Sequence, residues 1–384
     1  MAAMPALRLT PGDPAPWFRA REATNPRFEF STVAGRYVVL SFLGSSTVPA
    51  ARRMLEGVAA HRHLFDDEQA CFFGVSIDPE DDGPGRLERM IPGIRFFLDT
   101  DRAVSALYGA CDPAAAPSAR VSYHPHTLVL DPALRILAVV PLADVADPFE
   151  PVREALERLP RIGPARLVQP QAPVLVVPGI FEPAFCRRLI DAYETHGGED
   201  SGFMRDVDGK TVSITDYGFK RRADHALSDK GLREQARARV LRRLVPEIHR
   251  AFQFRATRME RYIVACYEAE PGGYFRPHRD NTTAGTAHRR FAVTINLNAE
   301  EYEGGNLRFP EYGPHAYRAP TGGAVVFSCS LLHEALPVTR GRRFAFLPFL
   351  YDEDAARQRE ANNAHLGPGV GAYHAGIEKG AAPG

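Results

Sequence analysis

The sequence predicts two folded domains of different class: an α/β domain first, then a β-sandwich or barrel preceded by helices. Three observations carry that expectation. A length of 384 residues is enough for about two domains at roughly 150 residues each. Short continuous apolar runs alternate with helical patterns over the first 160 residues, as in a sheet buried on both faces. Beyond a stretch rich in proline and glutamine, the texture changes to short strands punctuated by glycine pairs.

The apolar runs lie at 37–42, 72–77, 94–98, 126–130 and 136–142, and the helical patterns between them at 48–60, 85–90 and 102–108. They place a first domain over 1–160. Leu159-Pro160-Arg161-Ile162-Gly163-Pro164 and Gln169-Pro170-Gln171-Ala172-Pro173 can hold neither a helix nor an interior strand, which makes 161–173 a linker. The second domain, 174–354, opens with a strand at 174–177 and a helix at 183–194. A basic amphipathic helix follows at 232–252, with Leu232, Ala236, Val240, Leu241, Leu244, Val245, Ile248 and Phe252 in one stripe and its arginines on a solvated face. Pro246 kinks or divides it. Strands follow at 259–267, 291–298, 306–309, 324–328 and 344–350, with Gly272-Gly273, Gly304-Gly305 and Gly322-Gly323 at turns. Small residues and glycines predict a loosely held tail over 355–384.

Forty-seven basic residues balance forty-seven acidic ones, so no net field draws the chain to nucleic acid or to an anionic membrane. Cys71, Cys111, Cys186, Cys266 and Cys329 are odd in number and contain no Cys-x-x-Cys pair, which fits buried thiols in a reducing compartment. Residues 1–10 lack the apolar core of a signal peptide, and no apolar run approaches a membrane span, so a cytoplasmic protein is expected. Composition says nothing of oligomeric state.

Among the 13 histidines only His278 has an acidic residue two positions on, Asp280. In extended chain, residues two apart point to the same side, so the pair can offer an imidazole nitrogen and a carboxylate oxygen to one point. His333, just after the strand at 324–328, is the best third ligand. Two histidines and a carboxylate on one face of a metal leave coordination positions open, as in non-haem Fe(II) oxygenases. Ten residues later Arg342 and Arg343 head a strand and face opposite ways; the inward one can grip a distant carboxylate with two parallel hydrogen bonds. The run Lys220-Arg221-Arg222 is taken as an exposed charge cluster, and residues 198–226 and 282–290 as specificity loops.

Residues 259–352 resemble the Fe(II)/2-oxoglutarate-dependent oxygenases of the prolyl 4-hydroxylase type. The resemblance rests on Ile263-Val264-Ala265-Cys266-Tyr267, Gly273-Tyr274-Phe275-Arg276-Pro277-His278-Arg279-Asp280, Glu303-Gly304-Gly305-Asn306-Leu307-Arg308-Phe309-Pro310 and the segment from His333 to Arg343. It implies a double-stranded β-helix (jelly roll), with Fe(II) on His278, Asp280 and His333 and the distal carboxylate of 2-oxoglutarate on Arg343 rather than Arg342. Tyr267 stands where the family often lines the co-substrate pocket; Asn296 replaces a frequent tyrosine, leaving Asn296 or Thr294 as the second carboxylate partner. Halogenating relatives replace the carboxylate with a small residue, so the intact Asp280 favours hydroxylation. The implied reaction consumes O2 and 2-oxoglutarate, with ascorbate as an auxiliary reductant, and releases succinate and CO2. The implied substrate is an amino-acid-like, peptidyl or carrier-bound aliphatic carbon, with proline as the family-level guess.

The first domain resembles a peroxiredoxin of the thioredoxin fold, through Thr10-Pro11-Gly12-Asp13-Pro14-Ala15-Pro16, Gly74-Val75-Ser76-Ile77-Asp78 and Thr127-Leu128-Val129-Leu130-Asp131. Ala51 occupies the place of the peroxidatic cysteine and Pro125 that of the usual arginine, so peroxide chemistry is expected to be absent. Two alternatives follow. One is a binding protein whose first domain docks a protein partner beside a silent oxygenase domain. The other is a peroxidase using Cys71 or Cys111.

Overall fold

The computed structural model describes residues 9–112, 121–143 and 145–375. The chain divides into two compact units between Arg166 and Leu167. In the first unit, Tyr37–Gly44, Ala70–Ser76 and Ile94–Leu98 form a parallel core, flanked on one side by Asn25–Glu29 and Arg19–Glu22 and on the other by His126–Leu130 and Ile136–Pro141. Every residue of Tyr37–Gly44 is buried, because both faces are covered. One face packs Phe18, Phe30, Phe97 and Tyr108, and the other packs Met54 and Val58 of the helix Pro49–Ala60 against Phe149 and Val152. Pro49 opens that helix, and Ala51, Met54 and Val58 recur at the spacing that buries one stripe.

The expected helix at 85–90 is absent. Gly85 takes φ +76° and Met90 bridges to Ile94, so the segment turns into the neighbouring strand. The strands Arg19–Glu22 and Asn25–Glu29 and the helix Glu150–Arg158 have no counterpart in the sequence expectations.

The second unit contains two large antiparallel sheets, nine- and five-stranded. Strand parity sorts the larger sheet's residues. Val264, Cys266, Val293, Ile295, Ala324, Val326, Phe344 and Phe346 face one way and pack on Phe185, Leu189, Ala236, Val240 and Leu244 of the preceding helices. Ala265, Tyr267, Ala292, Val325 and Phe327 face the other way and meet Phe275, Ala335 and Leu307 of the five-stranded sheet. This two-layer arrangement with preceding helices is what the jelly-roll expectation requires.

The basic helix breaks at Leu244 into Lys230–Arg243 and Val245–Phe252, with Pro246 in the first turn of the second piece. Its arginines are not all solvated: Arg243 is buried, donating to the Ile180 carbonyl at 3.0 Å and pairing with Glu182 at 2.8 Å. Where loops are expected over 198–226, the chain forms the hairpin Phe203–Val207/Lys210–Ile214 and the short strands Glu199–Asp200, Lys220–Arg221 and Ala223–Ala226. The tail expected to be loose from residue 355 begins as the helix Glu353–Ala361, anchored by buried Ala355 and Ala356 and capped by Asp352. Among the described residues no helix is long and apolar enough to cross a membrane.

Candidate metal and co-substrate site

The five-stranded sheet brings the two histidines together. His278 ends the strand Tyr274–His278, His333 begins His333–Ala335, and the two are direct partners across the ladder. Asp280 follows just beyond, its backbone N–H donating to the Cys329 carbonyl at 3.0 Å. One ligand atom from each of His278, Asp280 and His333 lies within 4.8 Å of the others. The Nε2 atoms of His278 and His333 stand 3.5 and 3.4 Å from the two Asp280 oxygens.

Each imidazole is oriented by its other nitrogen. His278 Nδ1 lies 2.7 Å from the Arg276 carbonyl and His333 Nδ1 3.0 Å from the Leu331 carbonyl, an arrangement in which Nδ1–H donates and Nε2 keeps its lone pair. Phe275 stacks on His278 at 3.5 Å between centroids, and Phe327 packs on His333 at 4.5 Å. Burial brings the His333 pKa down to about 4, so it is neutral at pH 7. Burial also pushes the Asp280 carboxyl up, but the two adjacent histidines outweigh it and hold the group well below the usual carboxylate range. One carboxylate and two imidazoles whose Nε2 atoms turn toward it are a donor set suited to a divalent first-row metal.

The triad opens on a cavity of about 1190 Å³ that Arg343, Tyr267 and Thr294 also line. Strand parity puts Arg343 inside, because Phe344 and Phe346 face the helices; Arg342 faces out and pairs with Glu194 and Glu268. Arg343 is 2% exposed, yet its Nε and Nη1 have no hydrogen-bond partner among the described residues. Its guanidinium lies 4.9 Å from the Tyr267 ring centroid. A buried guanidinium with spare donors fits a carboxylate brought in by a ligand. The turn at Gly304-Gly305 leaves room for it: both residues have positive φ, and a Cβ on Gly305 would lie 3.0 Å from Arg343 Cδ.

Asn296 departs from expectation. It shares Thr294's inward parity, but it sits at the end of its strand and does not line the cavity. Its Nδ2 donates to the Ala319 carbonyl at 2.7 Å, while its buried Oδ1 has no hydrogen-bond partner among the described residues.

Lys220 and Arg222 are buried rather than an exposed cluster. Lys220 Nζ donates to Ser201 Oγ and to the Gly202 carbonyl and lies 4.9 Å from the Phe275 centroid. Arg222 holds Asp224 through two 2.6 Å bonds and donates to the Tyr267 hydroxyl at 3.3 Å. Burial raises the Asp224 carboxyl, but Arg222 outweighs it and brings the pKa down to about 2. A depressed carboxyl contributes stability above its unfolded value of 3.8 that is lost as pH falls through the folded value. Acid melting of the second unit is therefore expected to steepen between pH 4 and about 2. Asp224→Asn should flatten that limb in melting curves recorded against pH.

In the first unit Ala51 is fully buried in the first turn of Pro49–Ala60. Burial pushes the Cys71 thiol up to about 12 and also raises Cys111. Neither supplies thiolate at neutral pH, so peroxide treatment followed by a sulfenic-acid trap and mass spectrometry should find both as thiols.

Residues 262–351 match the family model of the 2OG-Fe(II) oxygenase superfamily, and residues 11–139 match that of the AhpC/TSA family. A PKHD-type hydroxylase of Synechococcus sp. is 35% identical over 89 residues, 22% of this chain and 39% of that protein. The chain thus spans well under half the length of this curated relative. A prolyl hydroxylase from Trichoplax adhaerens, solved with a hypoxia inducible factor peptide fragment, aligns at 14% identity and a TM-score of 0.36, covering 49% of this chain and 86% of that one. Peroxidoxin BcpB from Mycobacterium tuberculosis aligns at 18% identity and a TM-score of 0.34, covering 39% and 96%. The chain carries a 2OG-Fe(II) oxygenase segment after an AhpC/TSA segment, and the former implies Fe(II) and 2-oxoglutarate.

Proposed function

We propose that the protein is an Fe(II)- and 2-oxoglutarate-dependent dioxygenase that hydroxylates an aliphatic C–H of an amino-acid-like or peptidyl substrate, releasing succinate and CO2. The observation that carries this is the unpaired, buried Arg343 guanidinium lining the same cavity as the His278, Asp280 and His333 cluster. When bound, Fe(II) supplies O2 activation coupled to oxidative decarboxylation of 2-oxoglutarate. His278, Asp280 and His333 would hold the metal, and the cavity that they line would admit co-substrate and O2. Arg343 takes the distal carboxylate of 2-oxoglutarate, with Tyr267 and Thr294 lining the same pocket. Phe275 and Phe327 keep water from the imidazoles, which protects a reactive centre.

The direct test is succinate formation from 2-oxoglutarate with Fe(II) and ascorbate, wild type against His278→Ala. Equal turnover in the two proteins refutes the assignment. The first unit is read as non-catalytic, since Ala51 stands where the resemblance calls for a cysteine and Cys71 is inert, and as a docking module for a partner or client chain. Unchanged activity on the true substrate after deletion of residues 1–160 would argue against an essential docking role.

A further inference from the structure

The cavity wall carries more positive charge than its own carboxylates satisfy. Both Asp224 oxygens are taken by Arg222. Glu260 is taken by Arg289 at 2.7 Å, Arg359 at 2.8 Å and His288 at 3.1 Å. Arg261 lies between these two clusters and is left over. Its nearest carboxylate oxygen, Asp224 Oδ2, is 3.6 Å away, beyond hydrogen-bond range, and among the described residues its guanidinium makes no hydrogen bond.

The position of Arg261 is that of a ligand contact. It separates the strands Arg258–Glu260 and Ile263–Glu268 with a left-handed backbone, φ +65°, a conformation that concentrates at ligand clamps. It lines the cavity, and 29% of its side chain stays accessible. The Phe349 ring supports it at 5.1 Å and supports Arg289 at 4.0 Å. Arg289 in turn donates to the Asp280 carbonyl at 3.4 Å, which ties this wall to the metal cluster. Burial and the adjacent Arg222 pull the Arg261 pKa down to about 10, as expected for a cation short of counter-charge. Arg343 already supplies the co-substrate's anchor, so the surplus belongs to another anion.

We infer that Arg261 docks a carboxylate of the primary substrate, which makes that substrate a free acid, such as an amino acid or a chain-terminal residue, rather than a residue within a peptide. The inference rests on the oxygenase function proposed above and narrows its substrate class.

Crystals of the full chain grown with Mn(II) and 2-oxoglutarate and soaked in sodium bromide test it. An anomalous bromide peak is expected against the Arg261 guanidinium, with 2-oxoglutarate at Arg343. Mn(II) and 2-oxoglutarate in place with no bromide at Arg261 overturns the inference and leaves the oxygenase function standing. A triad that takes no Mn(II) overturns both.

In solution, acetate should raise the melting temperature of the same complex and acetamide at equal ionic strength should not. Arg261→Gln should weaken acetate binding by about tenfold, the order expected for losing a charge-assisted contact, while 2-oxoglutarate affinity stays within about twofold. A loss of 2-oxoglutarate affinity as large as that of Arg343→Gln overturns the inference, because Arg261 would then belong to the co-substrate site.

Discussion

Asp280→Ala is expected to abolish Fe(II) retention and to cut succinate formation by at least about a hundredfold. Outer-sphere partners of a metal site are worth about 10–100-fold in affinity or activity, and Asp280 is proposed as a direct ligand. Its two oxygens lie 3.5 and 3.4 Å from the two Nε2 atoms, so among the described residues it is the acidic group placed to share a cation with both imidazoles. The fold should survive the change. What fixes the segment is the backbone bond from Asp280 N–H to the Cys329 carbonyl and the pairing of His278 with His333, and alanine keeps both.

Asp280→Glu is the sharper variant. It retains the charge but moves the oxygens by about one methylene, and a displacement of about 1 Å in a reactive site costs on the order of a hundredfold. Metal content by mass spectrometry and succinate by chromatography read both variants. An Asp280→Ala protein that keeps iron and turns over like wild type removes the metal site from this position.

The parts of the site legible in the sequence are those set by period-two alternation. Alternation says only that Arg342 and Arg343 face opposite ways; the family resemblance singles out Arg343, which in the fold stands opposite Tyr267 in the ladder while Phe344 and Phe346 face the helices. The partner of the His278 strand was less legible. A bulge between Phe275 and His278 sets the register that places His278 against His333, and bulges leave no period in the sequence. Asn296 shows where alternation fails: its parity is right, but it ends a strand and a carbonyl from another segment claims its amide.

Lys220 and Arg222 show the opposite error. Their i, i+2 spacing is a strand signal, but with no apolar residues at the same period it reads as a solvated charge run. They are buried because each meets a partner from elsewhere: Gly202 for Lys220, and Tyr267 for Arg222. Arg261 went unread for a related reason. A strand read as continuous over 259–267 hides a single left-handed residue that splits it.

Arg343→Met should move stability and binding in opposite directions. In the wild type Arg343 Nε and Nη1 are buried with no acceptor, and each unmade bond of that kind costs roughly 1–3 kcal/mol. Methionine is of similar length, needs no acceptor and can lay its sulfur against the Tyr267 ring, which replaces part of the lost cation–π contact. The ligand-free variant is therefore expected to be more stable than wild type by about 1–3 kcal/mol, or several degrees in the melting transition of the second unit.

Binding should show the reverse. A guanidinium holding a carboxylate through two charge-assisted bonds contributes about 3 kcal/mol or more, so the variant should bind 2-oxoglutarate more than about a hundredfold less tightly. Wild type in 2-oxoglutarate at about 100 times its Kd gains about 2.7 kcal/mol that the variant does not, and the order of melting temperatures should close or invert. Calorimetric scans of both proteins with Mn(II), with and without 2-oxoglutarate, measure the two effects together. A variant that melts lower than wild type without ligand would mean that Arg343 serves the fold, because an anion site left open in the free protein must cost stability until its ligand arrives.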